Sequence, residues 1–252
     1  MVNMIVLKTT RELKIMREAC RISAGALRVA GEAVEPGITT AEIDKIAFDY
    51  IKSQGGVPNF LNYEGFPATA CISINNEVIH GIPSKKRVIK AGDIVSIDLG
   101  ASFEGYNGDN AATFGCGDIS PEAQNLIDVT RDSLYEGIKA AVNGGRIGDI
   151  GSAVQQYVEA RGYSVVRDFV GHGVGASLHE APEVPNYGKA GHGIRLIPGM
   201  TIAIEPMVNM GSYDVKVAPD GWTTTTADGK LSAHFEHTVA ITADGPVIMT
   251  KC

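Results

Sequence analysis

The chain has 252 residues, 44% hydrophobic and 20% charged, the composition of an ordinary water-soluble globular protein with enough length to bury a sizeable core. Its formal net charge of −7 and sequence pI near 5.4 exclude nucleic acid and anionic membrane as default partners, because both would repel it. No run of about 18 apolar residues is present to span a membrane, and charges follow the apolar start MVNMIV before a signal-peptide core could form. Four scattered cysteines, Cys20, Cys71, Cys116 and Cys252, contain no C-x-x-C pair and suit the reduced thiols of a cytoplasmic protein.

Two helices open the chain, each with a start signal. Thr9 with Glu12 and Thr39 with Glu42 match the S/T-x-x-E capping box, in which hydroxyl and carboxylate satisfy each other's backbone N–H. Ile43, Ile46, Ala47, Tyr50 and Ile51 then recur at helical spacing and predict one buried face. Farther on, Ile94 to Leu99 reads as a strand that carries Asp98 near its end. The following FEGYNGDNAATF holds two turn-forming pairs, Glu104-Gly105 and Asn107-Gly108, and predicts a hairpin that returns Asp109 beside Asp98. Ser120-Pro121 supplies an N-cap and a first-turn proline for a third helix through Leu126, Leu134 and Ile138; a fourth is expected from Gly148 to Arg161.

The second pair of helices resembles the first. A shift of 107 residues lays Gly37 on Gly144, Ile43 on Ile150, Tyr50 on Tyr157 and Gly55 on Gly162, then Gly92 on Gly199, Ile97 on Ile204 and Asp98 on Glu205. One offset serving helices and strands alike indicates internal duplication, with halves at roughly residues 10–117 and 118–252 of a single domain spanning 1–252. His80-Gly-Ile-Pro83 and His179-Glu-Ala-Pro182 echo each other at another offset, so each half offers a histidine and a carboxylate. Helices interleaved with strands predict an α+β fold whose sheet is covered by the amphipathic helices.

HFEHTVAI adds Glu236 after the Asp228-Gly229 turn, so the carboxylates pair as Asp98 with Asp109 and Glu205 with Glu236. Taken singly, each reads as a solvated turn residue; the pairing carries more. Ionised carboxylates among apolar strand residues cost several kcal/mol each unless compensated, and four of them repel one another. Divalent cations relieve both costs. Four carboxylates and a histidine make a donor set for a dinuclear hydrolase centre with metals about 3.5–4 Å apart, and mixed oxygen and imidazole donors favour Mn, Fe, Co or Zn over Ca or Mg.

Residues 170–180, VGHGVGASLHE, set His172 and His179 among Gly171, Gly173 and Gly175. A phosphate loop is excluded, since the G-x-G-x-x-G spacing and a Walker lysine are both missing. Neither is this a zincin motif, because Glu183 stands where H-E-x-x-H needs its second histidine. No G-x-S-x-G elbow occurs, and Cys71 has no assignable activating partner.

Taken together and in order, NYEGFPATACISINNEVIHGIP, DIVSIDLGASFEGYNGDNAATF, VGHGVGASLHE, PGMTIAIEPMV and LSAHFEHTV resemble the type I methionine aminopeptidases, in their short bacterial form, over nearly the whole chain. The resemblance implies the pita-bread fold, two pseudo-symmetric αβ halves around a central antiparallel sheet. It implies removal of the N-terminal methionine from nascent proteins and peptides with small second residues. Asp98, Asp109 and Glu236 would hold one divalent ion (Co, Mn, Fe or Zn), and His172 and Glu205 a second, with Asp109 and Glu236 bridging. His80 and His179 would contact substrate and stabilise the tetrahedral intermediate, while Glu205 moves a proton. Tyr63, Phe66, Cys71 and Trp222 would line the methionine pocket near Leu178; Phe66 stands where tyrosine is frequent and Leu178 where a larger aromatic often sits. The glycines around His172 are expected to let the backbone approach closely and turn within the cleft. By the same resemblance, backbone carbonyls of Asn75, Glu77 and Ser232 would hold a monovalent cation. The implied partners are nascent polypeptide N-termini and the ribosome, met by a cytoplasmic monomer without nucleic-acid specificity or membrane attachment. Two alternatives compete: an Xaa-Pro peptidase on the same fold, and a non-catalytic peptide- or ribosome-binding relative.

Overall fold

Helix starts follow the capping chemistry. In the computed structural model, which describes residues 5–251, α1 (Thr10–Glu32) follows Thr9 and α2 (Thr40–Ser53) follows Thr39, both with complete capping boxes. Thr9 N donates to Glu12 Oε2 at 2.7 Å while Glu12 N donates to Thr9 Oγ1 at 3.3 Å. Ser120 caps α3 (Pro121–Ala140), and Asp149 Oδ2 accepts from Arg146 N at 2.7 Å at the start of α4 (Ile147–Glu159). The apolar start through Met4 and the Cys252 thiol lie outside the described residues.

Among the described residues the central sheet has nine strands, all paired antiparallel. Its main path runs Val57–Pro58, Ile94–Phe103, Tyr106–Gly115, Glu236–Thr242, Thr201–Ile204, Gly171–Gly173 and Glu180–Val184. Ala70–Ile74 and Gly245–Ile248 pair off this path, on Ile94–Phe103 and Glu236–Thr242 respectively. The seam between halves falls in the middle, where Glu236 faces Ala111 and His237 faces Asn110. Against the first half α1 and α2 bury Ile22, Ala26, Ile43 and Ile51 over Ile97 and Leu99. On the second half Leu134 and Ile138 of α3 and Ile150 of α4 cover Ile202, Ile204 and Val239. Each isoleucine, leucine and valine among them contributes about 1.5–3 kcal/mol by leaving water, so the sheet carries the site on a rigid base.

The two halves repeat at the level of single hydrogen bonds. Gly37 N donates to Ile89 O at 2.9 Å, and 107 residues on Gly144 N donates to Leu196 O at 2.9 Å. Thr40 N to Arg87 O and Ile147 N to Ile194 O repeat the relation, as do the bridges Thr39 to Val88 and Arg146 to Arg195. The aligned glycines share left-handed backbone: Gly37 and Gly144 have φ of 99° and 87°, and Gly92 and Gly199 have 90° and 95°.

The hairpin differs from expectation in two respects. Its first strand continues past Leu99 to Phe103, and only Glu104-Gly105 forms the turn, with φ of 47° and 81°. Asn107-Gly108 lies inside the return strand. A Cβ at Gly108 would sit 2.6 Å from both N and Cα of Cys20, so this glycine serves the close approach of α1 to the sheet.

Candidate metal centre and active-site cleft

The residues named from the sequence as divalent-metal ligands, catalytic groups and methionine-pocket walls line one cavity of about 1320 Å³: Tyr63, Phe66, Cys71, His80, Asp98, Asp109, His172, His179, Glu205, Trp222 and Glu236. The elements explain the convergence. Asp98 faces Cys71 on one neighbouring strand and Ala111 on the other. Asp109 is clamped to the opposite half, since its N donates to Thr238 Oγ1 at 3.0 Å and Thr238 Oγ1 donates to its carbonyl at 2.8 Å. Glu205 sits in the break between Thr201–Ile204 and Met207–Asn209, and Glu236 follows the break at Phe235 between Ser232–His234 and its own strand. Both therefore stand where the chain passes between the central sheet and a three-stranded sheet of Ser232–His234, Met207–Asn209 and Ser164–Val165.

Ligand-type atoms of Asp109, His172 and Glu236 lie within 4.8 Å of one another. His172 Nε2 is 3.8 Å from Asp109 Oδ2 and 3.6 Å from Glu205 Oε1. Its Nδ1 lies 2.8 Å from the Gly173 carbonyl, which can only accept. The proton is thereby assigned to Nδ1, and Nε2 presents a lone pair to the carboxylates, the tautomer of a metal-ligating imidazole.

Electrostatics favour the same conclusion. Asp98 Oδ1, Asp109 Oδ1 and Glu236 Oε1 are buried without a hydrogen-bond partner among the described residues. Burial pushes Asp109 up to about 7. Asp98 is held well above the usual carboxylate range by burial and then by Asp109; Glu205 and Glu236 are held up by burial and then by the neighbouring carboxylates. Oxygens so crowded and so dry fit divalent cations.

His80 and His179, the other two histidines of the cleft named from the sequence, are both held below the ordinary imidazole value. Burial pushes His80 down to about 4, and His80 packs edge-on to Phe169 and Trp222 with ring centroids 5.7 and 6.2 Å away. His179, lowered chiefly by burial, stands edge-on to His172 at 4.1 Å, with its Nδ1 2.8 Å from Tyr63 Oη. Beside them Phe66 meets Trp222 edge-on at 5.2 Å, and Phe66, Cys71 and Leu178 are buried. Burial, and after it the Asp98 charge, raise the Cys71 thiol well above its ordinary value, so it forms an apolar wall. Cys20, Cys71 and Cys116 are all free thiols.

The glycines flanking His172 serve close backbone approach as expected, and none of Gly171, Gly173 and Gly175 needs left-handed φ to do so. They are small so that strands can approach, and a Cβ at Gly171 would lie 2.3 Å from Ala203 O. The sequence also left three supporting residues unmarked. Lys8 pairs with Glu180, Asn186 Nδ2 donates to the Glu205 carbonyl at 3.0 Å, and His234 lies beside Glu205. Only His234 had a visible signal, since it stands in the HFEH stretch that supplied Glu236. At the expected monovalent site, the Asn75 carbonyl already accepts from Ser232 N at 2.9 Å, and Glu77 pairs with Arg87.

The profile of metallopeptidase family M24 matches residues 14–243. A methionine aminopeptidase of Clostridium acetobutylicum is 52% identical over 99% of this chain and 100% of its own length, and one of Clostridium perfringens is 55% identical over 98% and 99%. The solved methionine aminopeptidase of Thermotoga maritima superposes with a TM-score of 0.97 at 44% identity, covering 99% of this chain and 100% of that one. A prolidase of Pyrococcus furiosus shares the fold at a TM-score of 0.79 and 25% identity, with 98% of this chain matching 66% of the longer prolidase. With its cluster of carboxylates and histidine beneath an apolar pocket, and with relatives above half identity over its full length, the chain belongs to the M24 metallopeptidases and, within them, to the methionine aminopeptidases.

Proposed function

We propose that the chain hydrolyses the first peptide bond of nascent proteins and peptides that begin with methionine and carry a small second residue. One observation carries this reading: Asp109, His172 and Glu236 converge, with unpartnered carboxylate oxygens, in the same cavity as the apolar wall of Phe66, Cys71 and Trp222. Asp98, Asp109 and Glu236 would hold one divalent ion and His172 and Glu205 a second, with Asp109 and Glu236 shared; Co, Mn, Fe and Zn all suit these donors. Such cations supply Lewis acidity toward the substrate carbonyl and acidify a nearby water.

The protein groups do the rest. Neutral His80 and His179 each donate an N–H toward the carbonyl oxygen as it gains charge. The Tyr63 hydroxyl holds the His179 ring by its Nδ1, which fixes where the other nitrogen points. Glu205 carries a proton from water to the departing amine. Phe66, Cys71 and Trp222 take up the thioether side chain, for which a sulfur-tolerant aromatic surface is suited. The same reading includes a monovalent cation on the carbonyls of Asn75, Glu77 and Ser232, a cytoplasmic monomer, and encounter with nascent chains at the ribosome. Among the described residues no helix is long and apolar enough to cross a membrane.

Metal-free protein reloaded with Co, Mn, Fe or Zn should release methionine from Met-Gly-Met faster than it cleaves Xaa-Pro peptides. Faster Xaa-Pro cleavage would favour a prolidase-type activity, and inertness with all four metals would favour a binding protein.

A further inference from the structure

His234 is a buried polar group that the mechanism above leaves unused. It ends the strand Ser232–His234, two residues before Glu236, and is 1% exposed. Neither Nδ1 nor Nε2 has a hydrogen-bond partner among the described residues. An imidazole carries at least one N–H, and leaving a buried donor unpaired costs about 1–3 kcal/mol. Such a group calls for a specific explanation.

Its surroundings supply one. The backbone is fixed: His234 N donates to Thr113 Oγ1 at 2.9 Å, Thr113 Oγ1 donates to His234 O at 2.9 Å, and the residue pairs in register with Met207. From this fixed position Nε2 lies 3.8 Å from Glu205 Oε2, while Glu205 Oε1 lies 3.6 Å from His172 Nε2. The Glu205 carboxylate is thus set between two imidazoles. His172 has its proton on Nδ1, bound to the Gly173 carbonyl, and cannot donate to Glu205 from Nε2. His234 has no competing partner and can. A shift of about 1 Å in either side chain brings the pair to the usual N–H···O separation of about 2.9 Å.

We propose that His234 is a positioning residue for Glu205: its Nε2–H donates to Oε2 and so fixes Oε1 toward His172 and the cation site. This rests on the proposed function, in which Glu205 is both ligand and proton carrier. The Glu205 main chain is held independently by Asn186, so the loss of His234 would free the carboxylate without unseating its backbone.

The test uses the full chain with His234→Leu and His234→Gln, titrated with Mn by calorimetry without substrate and then assayed on Met-Gly-Met. Partners that orient a ligand typically contribute 10–100-fold to metal affinity or activity. The Leu variant should lose Mn affinity by about that factor and lose kcat with little change in KM, and its metal-free form should melt no lower than wild type. The Gln variant, which keeps an N–H donor at similar reach, should recover most of both losses. Wild-type affinity and kcat in the Leu variant would overturn the proposal, and so would a Gln variant as impaired as Leu. Should the Leu variant fail to fold, the His234 proton is read in Zn-loaded wild type by nitrogen-15 NMR: Nε2–H is expected and Nδ1–H overturns the inference. A wild type that binds none of the four metals instead refutes the proposed function itself.

Discussion

Lys8 and Glu180, 172 residues apart in the chain, form a buried ion pair with Nζ and Oε2 separated by 2.5 Å and side chains only 3% and 11% exposed. The pair fastens the N-terminal segment to the loop that carries His179. Lys8 N donates to Gly199 O at 2.7 Å, and Glu180 Oε1 accepts from Ser177 N at 3.1 Å, so both partners are held from behind. Removing one partner of a buried pair leaves an uncompensated charge and costs about 3–5 kcal/mol. For a chain of this size that is roughly 6–20 °C in Tm. Lys8→Met should therefore melt well below wild type and turn over more slowly, as His179 loses its support. Adding Glu180→Gln should restore part of the melting temperature. Thermal melts and kcat on Met-Gly-Met check this, and a Lys8→Met variant indistinguishable from wild type refutes it.

Phe66 and Trp222 meet edge-on with centroids 5.2 Å apart, over the buried Cys71. Aromatic pairs of this geometry add about 0.5–1.5 kcal/mol beyond the area they bury, and one methylene of misfit in an apolar pocket is worth about 1–3 kcal/mol. Trp222→Ala should lower kcat/KM for Met-Gly-Met by at least about tenfold and should narrow the preference for methionine over leucine at the first position. Because Trp222 is half-buried at the edge of its cluster, the melting temperature should fall much less than the selectivity. A variant that loses stability but keeps its preference would assign Trp222 to packing alone.

Legibility varied with how local the cause was. Capping boxes at Thr9 and Thr39 are four-residue patterns, and they fixed the starts of α1 and α2. The 107-residue offset was legible because matched glycines must meet the same left-handed φ in each half, as Gly37 and Gly144 do. Asp98 and Glu205 could be paired with Asp109 and Glu236, respectively, because the first two end apolar strand runs at the same offset and the other two follow turn signals. What escaped depended on distant partners. Asn107-Gly108 has the composition of a turn, and only the contact of Gly108 with Cys20 of α1 explains its place in a strand. Likewise no local pattern joins Lys8 to Glu180 or Asn186 to the Glu205 carbonyl.

Removal of metal should make stability depend on pH in a defined direction. Asp109 is pushed up to about 7 by burial, and Asp98, Glu205 and Glu236 are also raised. Unfolded, these groups titrate near 4. Through these four groups the folded metal-free chain binds more protons than the unfolded one between about pH 4 and pH 7, so their contribution to stability falls as pH rises through that window. The buried His80 and His234, held down to about 4 and about 3, contribute in the opposite sense below about pH 6.5 with or without metal. Cations hold the carboxylates ionised in the folded state and remove this cost. From about pH 5 to pH 7.5 the melting temperature of the chelated protein should fall relative to that of the Mn-loaded protein. Asp109→Asn should flatten the slope of the chelated form. Equal slopes with and without metal would show that the carboxylates do not control it.

Gly173 follows His172 in the strand, and a Cβ placed there would lie 2.4 Å from Ala181 O and 2.9 Å from Glu180 O. Both atoms are backbone of the neighbouring strand, whose first residue follows His179 directly. Backbone cannot rotate away as a side chain can, so Gly173→Ala must displace that strand and move His172 and His179 relative to each other. Overpacking of this kind costs about 1–3 kcal/mol, and the upper end is expected here. Gly175 provides the contrast, since a Cβ there meets Glu180 Oε1 at 2.4 Å and Lys8 Cε and Nζ at 2.5 and 2.6 Å, all ends of side chains. Gly175→Ala should lower the melting temperature through the Lys8–Glu180 pair and leave Mn affinity near wild type, whereas Gly173→Ala should lose both melting temperature and Mn affinity. If Gly173→Ala binds Mn as tightly as wild type, close strand contact is not what holds His172 in place.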